Sequence, residues 1–265
     1  MNILDQIVQH KRKEVAELKR LLPIQMLEQS VYFRLPVLSM KEYLLREGAS
    51  GIIAEIKRKS PSRGMINPNA SIDHISVGYM QAGATALSVL TDSHYFGGSM
   101  GDLIAVRKYN YCPILRKEFI LDEYQVVESK SIGADAILLI AAILEPRQLK
   151  QLCQLAHSLG MEVLMEVHNE EEIEKNLDGG ADMIGVNNRN LKTFEVSLEK
   201  SMELAASIPG TSLAVSESGI VNPADVIELR RNGYKGFLVG EAFMKYSRPE
   251  LAAGDFIREI RELEK

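Results

Sequence analysis

At 265 residues, 46% of them hydrophobic, the chain has the length for one large domain or two small ones and the apolar content for a sizeable core. Its formal net charge of −5 gives no electrostatic case for a nucleic-acid or membrane-surface partner, and no apolar run approaches the roughly 18 residues that a membrane span needs. The two cysteines, Cys112 and Cys153, show neither metal-type spacing nor a disulfide framework, which fits a reducing compartment. The opening Met-Asn-Ile-Leu-Asp-Gln alternates apolar with polar residues and soon meets Lys11-Arg12-Lys13, unlike a signal peptide, so the expected location is the cytoplasm.

Residues 1–47 read as a helical extension. Ile3, Ile7 and Val8, then Val15, Leu18 and Leu22, fall at three-to-four spacing until Pro23 stops the run. Ser39 is placed to cap a short helix carrying Tyr43 and Leu44. The extension is expected to lie on the main domain or to act as a dimerisation arm.

The first strand is Ile52-Ile-Ala-Glu-Ile-Lys57, an apolar run with two charges set into its end. Side chains two apart in a strand share a face, so Glu55 and Lys57 point the same way. Burying such charges costs several kcal/mol unless they are paired or functional. A structural ion pair, a strand end at the surface or a basic patch over residues 57–63 are the plainer readings. A repeat down the chain argues for more. Gly83-Ala-Thr-Ala-Leu-Ser-Val-Leu90, Gly133-Ala-Asp-Ala-Ile-Leu-Leu-Ile140, Gly180-Ala-Asp-Met-Ile-Gly-Val-Asn187 and Gly233-Tyr-Lys-Gly-Phe-Leu-Val-Gly240 each place a helix-ending glycine before an apolar strand. Their spacing is too long for one strand–helix unit, and a further strand fills each interval: Cys112-Pro-Ile-Leu-Arg116, Met161-Glu-Val-Leu-Met-Glu166 and Leu213-Ala-Val-Ser-Glu217. Helices lie between them. Leu149, Leu152, Ala156 and Leu159 form one stripe, Asn169 with Glu172 resembles a capping box, and Asn222-Pro223 opens another helix.

Eight continuous apolar strands alternating with helices predict an all-parallel sheet buried on both faces. The fold expected is α/β, a single closed (β/α)8 TIM barrel over residues 1–265 with the helical extension at its N-terminus. A doubly wound open sheet is the alternative, but no GxGxxG turn follows the first strand.

In such a barrel the active site lies at the C-terminal ends of the strands. Those ends carry Glu55, Lys57, Lys117, Glu166, Asn187, Glu217 and Ser218. Lysines and glutamates crowded at one mouth shift each other's pKa values and suit general acid–base work. Gly219 and Gly240, after the last two strands, stand where backbone N–H groups can face an anion, with the Ser60 hydroxyl nearby. A small phosphate ester is therefore the expected substrate. Phe96 and Phe119 follow the second and third strands, where they form either ordinary loop packing or the walls of a flat apolar pocket. His168 is two residues after Glu166, but no further ligand has metal-type spacing, and no metal or nucleotide cofactor is expected.

These residues resemble the indole-3-glycerol phosphate synthase family of tryptophan biosynthesis. The matching stretches are Ile53-Ala-Glu-Ile-Lys-Arg-Lys-Ser-Pro-Ser62, Leu87-Ser-Val-Leu-Thr-Asp92 with Tyr95-Phe-Gly-Gly-Ser99, Pro113-Ile-Leu-Arg-Lys-Glu-Phe-Ile120, Leu164-Met-Glu-Val-His168, Gly185-Val-Asn-Asn-Arg-Asn-Leu191, Ser216-Glu-Ser-Gly-Ile220 and Gly236-Phe-Leu-Val-Gly-Glu-Ala-Phe-Met244. The resemblance implies a cofactor-free ring closure of 1-(2-carboxyphenylamino)-1-deoxyribulose 5-phosphate with loss of CO2 and water. It further implies Lys117 as general acid, Glu166 as acid–base partner in dehydration, and Lys57 on the substrate carboxylate, placed to share the proton-donor role. By the same resemblance Glu55 and Asn187 orient these groups, Glu217 and Ser218 line the site and Arg189 supports it. Ser60, Gly219, Gly240 and the backbone of Glu241 would cradle the phosphate, and Phe96, Phe119 and Leu138 would sandwich the anthranilate ring. A monomer or weak homodimer is expected. The alternatives are an isomerase-type barrel of the same pathway, which needs a Cys and an Asp near opposite strands, and a non-catalytic phosphate-binding barrel. Cys112 opens its strand and so should lie at the wrong end for the first; the second has no need of Lys117 and Glu166.

Overall fold

The computed structural model describes residues 3–68, 70–190 and 193–265. Met1 and Asn2 of the extension, and Leu191 of the stretches above, lie outside the described residues. Eight strands form the barrel: β1 (Ile52–Ile56), β2 (Ala86–Leu90), β3 (Ile114–Lys117), β4 (Ala136–Ile140), β5 (Glu162–Val167), β6 (Met183–Asn187), β7 (Leu213–Glu217) and β8 (Gly236–Val239). All neighbours pair parallel, and β1 joins both β2 and β8, so the sheet closes. Closure decides against the doubly wound alternative. The third strand starts two residues later than the sequence pattern suggests, leaving Cys112 and Pro113 ahead of it.

Strand alternation divides the core in two. Ile52, Ala54, Leu87, Ile114, Ile137 and Val186 point outward into the layer beneath the helices. Ile53, Ala86, Leu115, Leu164, Met183 and Leu238 point inward and fill the barrel. Burial on both faces is why the strands read as unbroken apolar runs. Gly83, Gly133, Gly180 and Gly233 all have positive φ, as expected of residues that end a helix before a strand. At Gly83 the cap is complete: Ala84 N donates to Tyr79 O and Gly83 N to Met80 O.

The N-terminal extension packs at both ends of the barrel. Its first helix, α1 (Ile3–Leu21), stops before Pro23, and Tyr124 Oη donates to Leu22 O where it meets the barrel's helical layer. The short helix α2 (Met40–Leu45) is capped by Ser39, whose Oγ accepts from Glu42 N at 3.0 Å and donates to Glu162 Oε1. Its Met40 and Leu44 pack with Ile53, Ala86, Leu115 and Val215 and plug the barrel floor. Met40 is fully buried. Met40→Ala therefore leaves a cavity beneath the barrel, and should cost about 2–5 kcal/mol of unfolding free energy, read from urea denaturation.

Candidate active site

The same alternation that fills the barrel below brings polar side chains together above. Lys117, Asn187 and Glu217 are the last residues of β3, β6 and β7, and Glu166 is the last but one of β5. Register sets Asn187 opposite Glu217 and Ile140 opposite Glu166. Glu55 and Lys57 rise from β1 on one face, as their spacing predicts, and form an ion pair. All fifteen residues singled out from the sequence line one cavity of about 420 Å³ at the C-terminal mouth, from Glu55 and Ser60 round to Gly240 and Glu241.

At the centre of that cavity is Lys117. Its Nζ donates to Glu217 Oε2 at 2.5 Å and to Glu166 Oε2 at 3.0 Å. All three side chains are nearly inaccessible, Glu217 at 1% exposure. Burial alone would favour the neutral amine, but Glu166, Glu217 and Glu55 outweigh it and raise the Lys117 pKa, so the ammonium persists. The two carboxylates move apart. Burial raises both, yet Lys117 and His168 bring Glu166 to a net lowering, while Glu166 and Glu55 add to the raising of Glu217. Titratable neighbours driven in opposite directions make an acid and a base available in one site. Asn187 bonds Glu166 and adds to its lowering.

Two glycines make room for these carboxylates, a role that strand spacing does not reveal. A Cβ on Gly185 would come within 2.1 Å of Glu217 Oε1, and one on Gly240 within 2.5 Å of Glu55 Oε1. Gly240 thus serves the Glu55–Lys57 pair as well as lining the mouth. Gly240→Ala should displace Glu55 and lower kcat/KM by on the order of tenfold to a hundredfold, since small misplacements near reacting groups cost that much. Steady-state kinetics beside a circular-dichroism melt would separate this from unfolding.

The apolar wall is the Phe96–Phe119 pair, ring centroids 5.9 Å apart, beside Leu138. Both rings are held through their backbones. Asp92 Oδ1 accepts from Tyr95 N and Phe96 N, and Glu118 Oε1 accepts from Phe119 N at 2.8 Å. Lys11 of α1, only 2% exposed, pairs with both Asp92 and Glu118 at 3.0 Å and so ties the extension to this wall. On the opposite side, Ser218 and Gly219 both have positive φ, turning the chain after β7. Residues 57–64 include a strand of a small antiparallel ribbon, Lys59–Ser60 against Gly64–Met65, where the sequence suggests only a polar loop. Ser60 Oγ accepts from Arg63 N within it. The Glu241 carboxylate pairs with Arg63 at 3.0 Å and with Arg189 at 3.7 Å.

Sequence reasoning missed Arg63, Phe194 and Val196, and the apolar rim of Ile3, Leu4 and Ile7 from α1, all of which line the cavity. Lys11 left a signal: it stands four residues from both Ile7 and Val15, a lysine on an apolar stripe. Cys112 is buried ahead of β3, at the end away from the mouth, and burial pushes its thiol up to about 12. It is no candidate for the acid–base cysteine of an isomerase.

Comparison with known proteins agrees with this geometry. The family model for indole-3-glycerol phosphate synthase matches residues 4–256. An indole-3-glycerol phosphate synthase of Bacteroides thetaiotaomicron is 44% identical over 98% of this chain and 99% of its own length. One from Caldanaerobacter subterraneus subsp. tengcongensis is 43% identical with the same coverage. Among solved structures, 3-hexulose-6-phosphate synthase from Salmonella typhimurium superposes with a TM-score of 0.63 at 11% identity, covering 80% of this chain and 98% of that one, a likeness of fold alone. The chain belongs to the indole-3-glycerol phosphate synthase family, lyases built on a TIM barrel.

Proposed function

We propose that this chain closes the indole ring of 1-(2-carboxyphenylamino)-1-deoxyribulose 5-phosphate, releasing CO2 and water to give indole-3-glycerol phosphate. The observation that carries this reading is Lys117, an ammonium buried between Glu166 and Glu217 and beside an aromatic wall. Lys117 protonates the ketone oxygen as the ring carbon attacks the ketone carbon. Decarboxylation returns the C–C electron pair to the ring and restores aromaticity. Glu166 then takes a proton from the methylene carbon as water leaves. Such acid–base steps are typically worth 10²–10⁴ in rate. No electrons are gained or lost overall, so the chemistry calls for no redox cofactor.

Lys57 holds the substrate carboxylate, with Glu55 fixing its position. Asn187 orients Glu166, and Glu217 with Ser218 lines the reacting centre. Phe96, Phe119 and Leu138 sandwich the anthranilate ring. The phosphate sits on Ser60, Gly219, Gly240 and the backbone of Glu241, whose carboxylate is turned to Arg63 and Arg189. Residues 1–265 work as one domain, the extension belonging to the catalytic unit, in a cytoplasmic monomer or weak homodimer. Among the described residues no helix is long and apolar enough to cross a membrane.

The test is to mix purified protein with the carboxyphenylamino-deoxyribulose phosphate and follow indole fluorescence. Rapid product formation supports the reading. Substrate binding without product would point to a binding barrel, and the absence of both binding and product would overturn the substrate assignment.

A further inference from the structure

The reaction proposed above takes up one proton from outside in every turnover. The carboxylate departs as neutral CO2 and the ketone oxygen departs as water. Of that water's two hydrogens one is balanced by the proton lost from the methylene carbon, and the other must be supplied. Lys117 and Glu166 are 9% and 5% exposed, and a substrate seated on the lining residues would lie above them in the mouth.

A second approach exists through the barrel wall. Glu166 Oε2 holds Lys117, while its Oε1 lies 3.4 Å from His168 Nε2. That nitrogen is buried and has no formed hydrogen bond among the described residues. On the other side of the ring, Nδ1 lies 3.4 Å from Glu172 Oε2. Glu172 borders a separate cleft of about 940 Å³ between α1 and the loops after β5 and β6, along with Arg12, Lys13 and Lys200. The imidazole thus bridges the two cavities, and the roles assigned above leave it unused.

We propose that His168 is a positioning residue acting through Glu166, facing its Oε1 and returning a proton to the site from this second cleft in each turnover; the proposal rests on the reaction assigned above. In the step itself the Nε2–H bond breaks and a Glu166 Oε1–H bond forms, leaving a neutral ring with Nδ1–H on Glu172. Glu166, which has already given the methylene proton to the departing hydroxyl, passes this one to the neutral Lys117 amine at its Oε2 and so restores both the ammonium and the carboxylate. A half-turn of the ring presents the bare nitrogen to the cleft, where it takes a proton from solvent. The charged groups facing the ring are Glu166 from β5, Glu172 from the helix Glu170–Lys175 and Lys200 from the helix Glu199–Leu204, with Asp5, Arg12 and Lys13 of α1 around the cleft beyond. Burial favours the neutral ring, but Glu172 and Glu166 outweigh both burial and Lys200 and raise its pKa, so the cation that the step requires is favoured.

His168→Asn is expected to lower kcat on the order of tenfold with KM within about twofold, a smaller loss than that of a group touching substrate. Wild-type kcat is expected to fall as pH rises through the imidazolium titration; the variant should lose that fall, and added imidazole should restore turnover. Glu172→Gln, which keeps the acceptor oxygen for His168 N, should shift the same limb. A folded His168→Asn variant with kcat within twofold of wild type and an unchanged pH profile would overturn the relay. Should that variant not fold, an unchanged limb in Glu172→Gln would do the same. Wild-type turnover in the same assay separates the two levels: active wild type with unaffected variants removes the relay alone, whereas inactive wild type removes the reaction and the relay with it.

Discussion

Lys117→Ala should lose about 10²–10⁴-fold in turnover and still fold, because it deletes the only cation placed between Glu166 and Glu217 among the described residues. That loss corresponds to roughly 3–5 kcal/mol of transition-state stabilisation. The variant should also acquire a new pH dependence of stability. Without the ammonium, two buried carboxyls face each other, and burial together with mutual repulsion raises their folded-state pKa values above the unfolded value of about 4.3. A raised folded pKa means stability that is fully present below the unfolded pKa and lost as pH rises through the folded one. Urea midpoints of Lys117→Ala should therefore drop between pH 5 and pH 8 more steeply than those of wild type. A parallel pH trend in the two proteins would mean that Lys117 does not hold the carboxylates in check.

The second large effect is expected at Glu166. Glu166→Gln keeps the shape and one acceptor for Lys117 but removes the base, and turnover should fall about 10²–10⁴-fold. Lys117 retains Glu217 at 2.5 Å, so ring closure and decarboxylation should proceed while dehydration stalls. The decarboxylated, still hydroxylated species is then expected to accumulate, visible by mass spectrometry of quenched reactions. Unchanged indole formation would remove Glu166 from the dehydration step.

The barrel was legible because its strands are buried on both faces, so their apolar runs survive in the sequence, and because glycines at 83, 133, 180 and 233 mark where helices end. The mouth was legible because strand ends are where charges have no structural reason to sit: Glu55, Lys57, Lys117, Glu166 and Glu217 stood out against greasy neighbours and meet in one cavity. What escaped depends on contacts between distant segments. Lys11 stands on the apolar stripe of its helix, but nothing near it in the chain names Asp92 and Glu118 as the partners that surround it. Gly185 has an ordinary place in its strand, and only the packed barrel shows the Glu217 carboxylate occupying the space of its missing side chain. Met40 could be given a capped helix but not a destination, since nothing local says that the helix plugs the barrel floor. His168 invited a question about metals, whereas its place between Glu166 and Glu172 shows only once the strand and the following helix are packed.

The measurement that bears most directly on the central claim is a rapid-quench comparison of CO2 release and indole formation in wild type, Lys117→Ala and Glu166→Gln. If Lys117 closes the ring and Glu166 completes dehydration, wild type shows both products, Lys117→Ala shows neither, and Glu166→Gln shows a burst of CO2 with indole delayed. Release of CO2 by Lys117→Ala at the wild-type rate would contradict the assignment of the buried ammonium as the acid that starts the reaction.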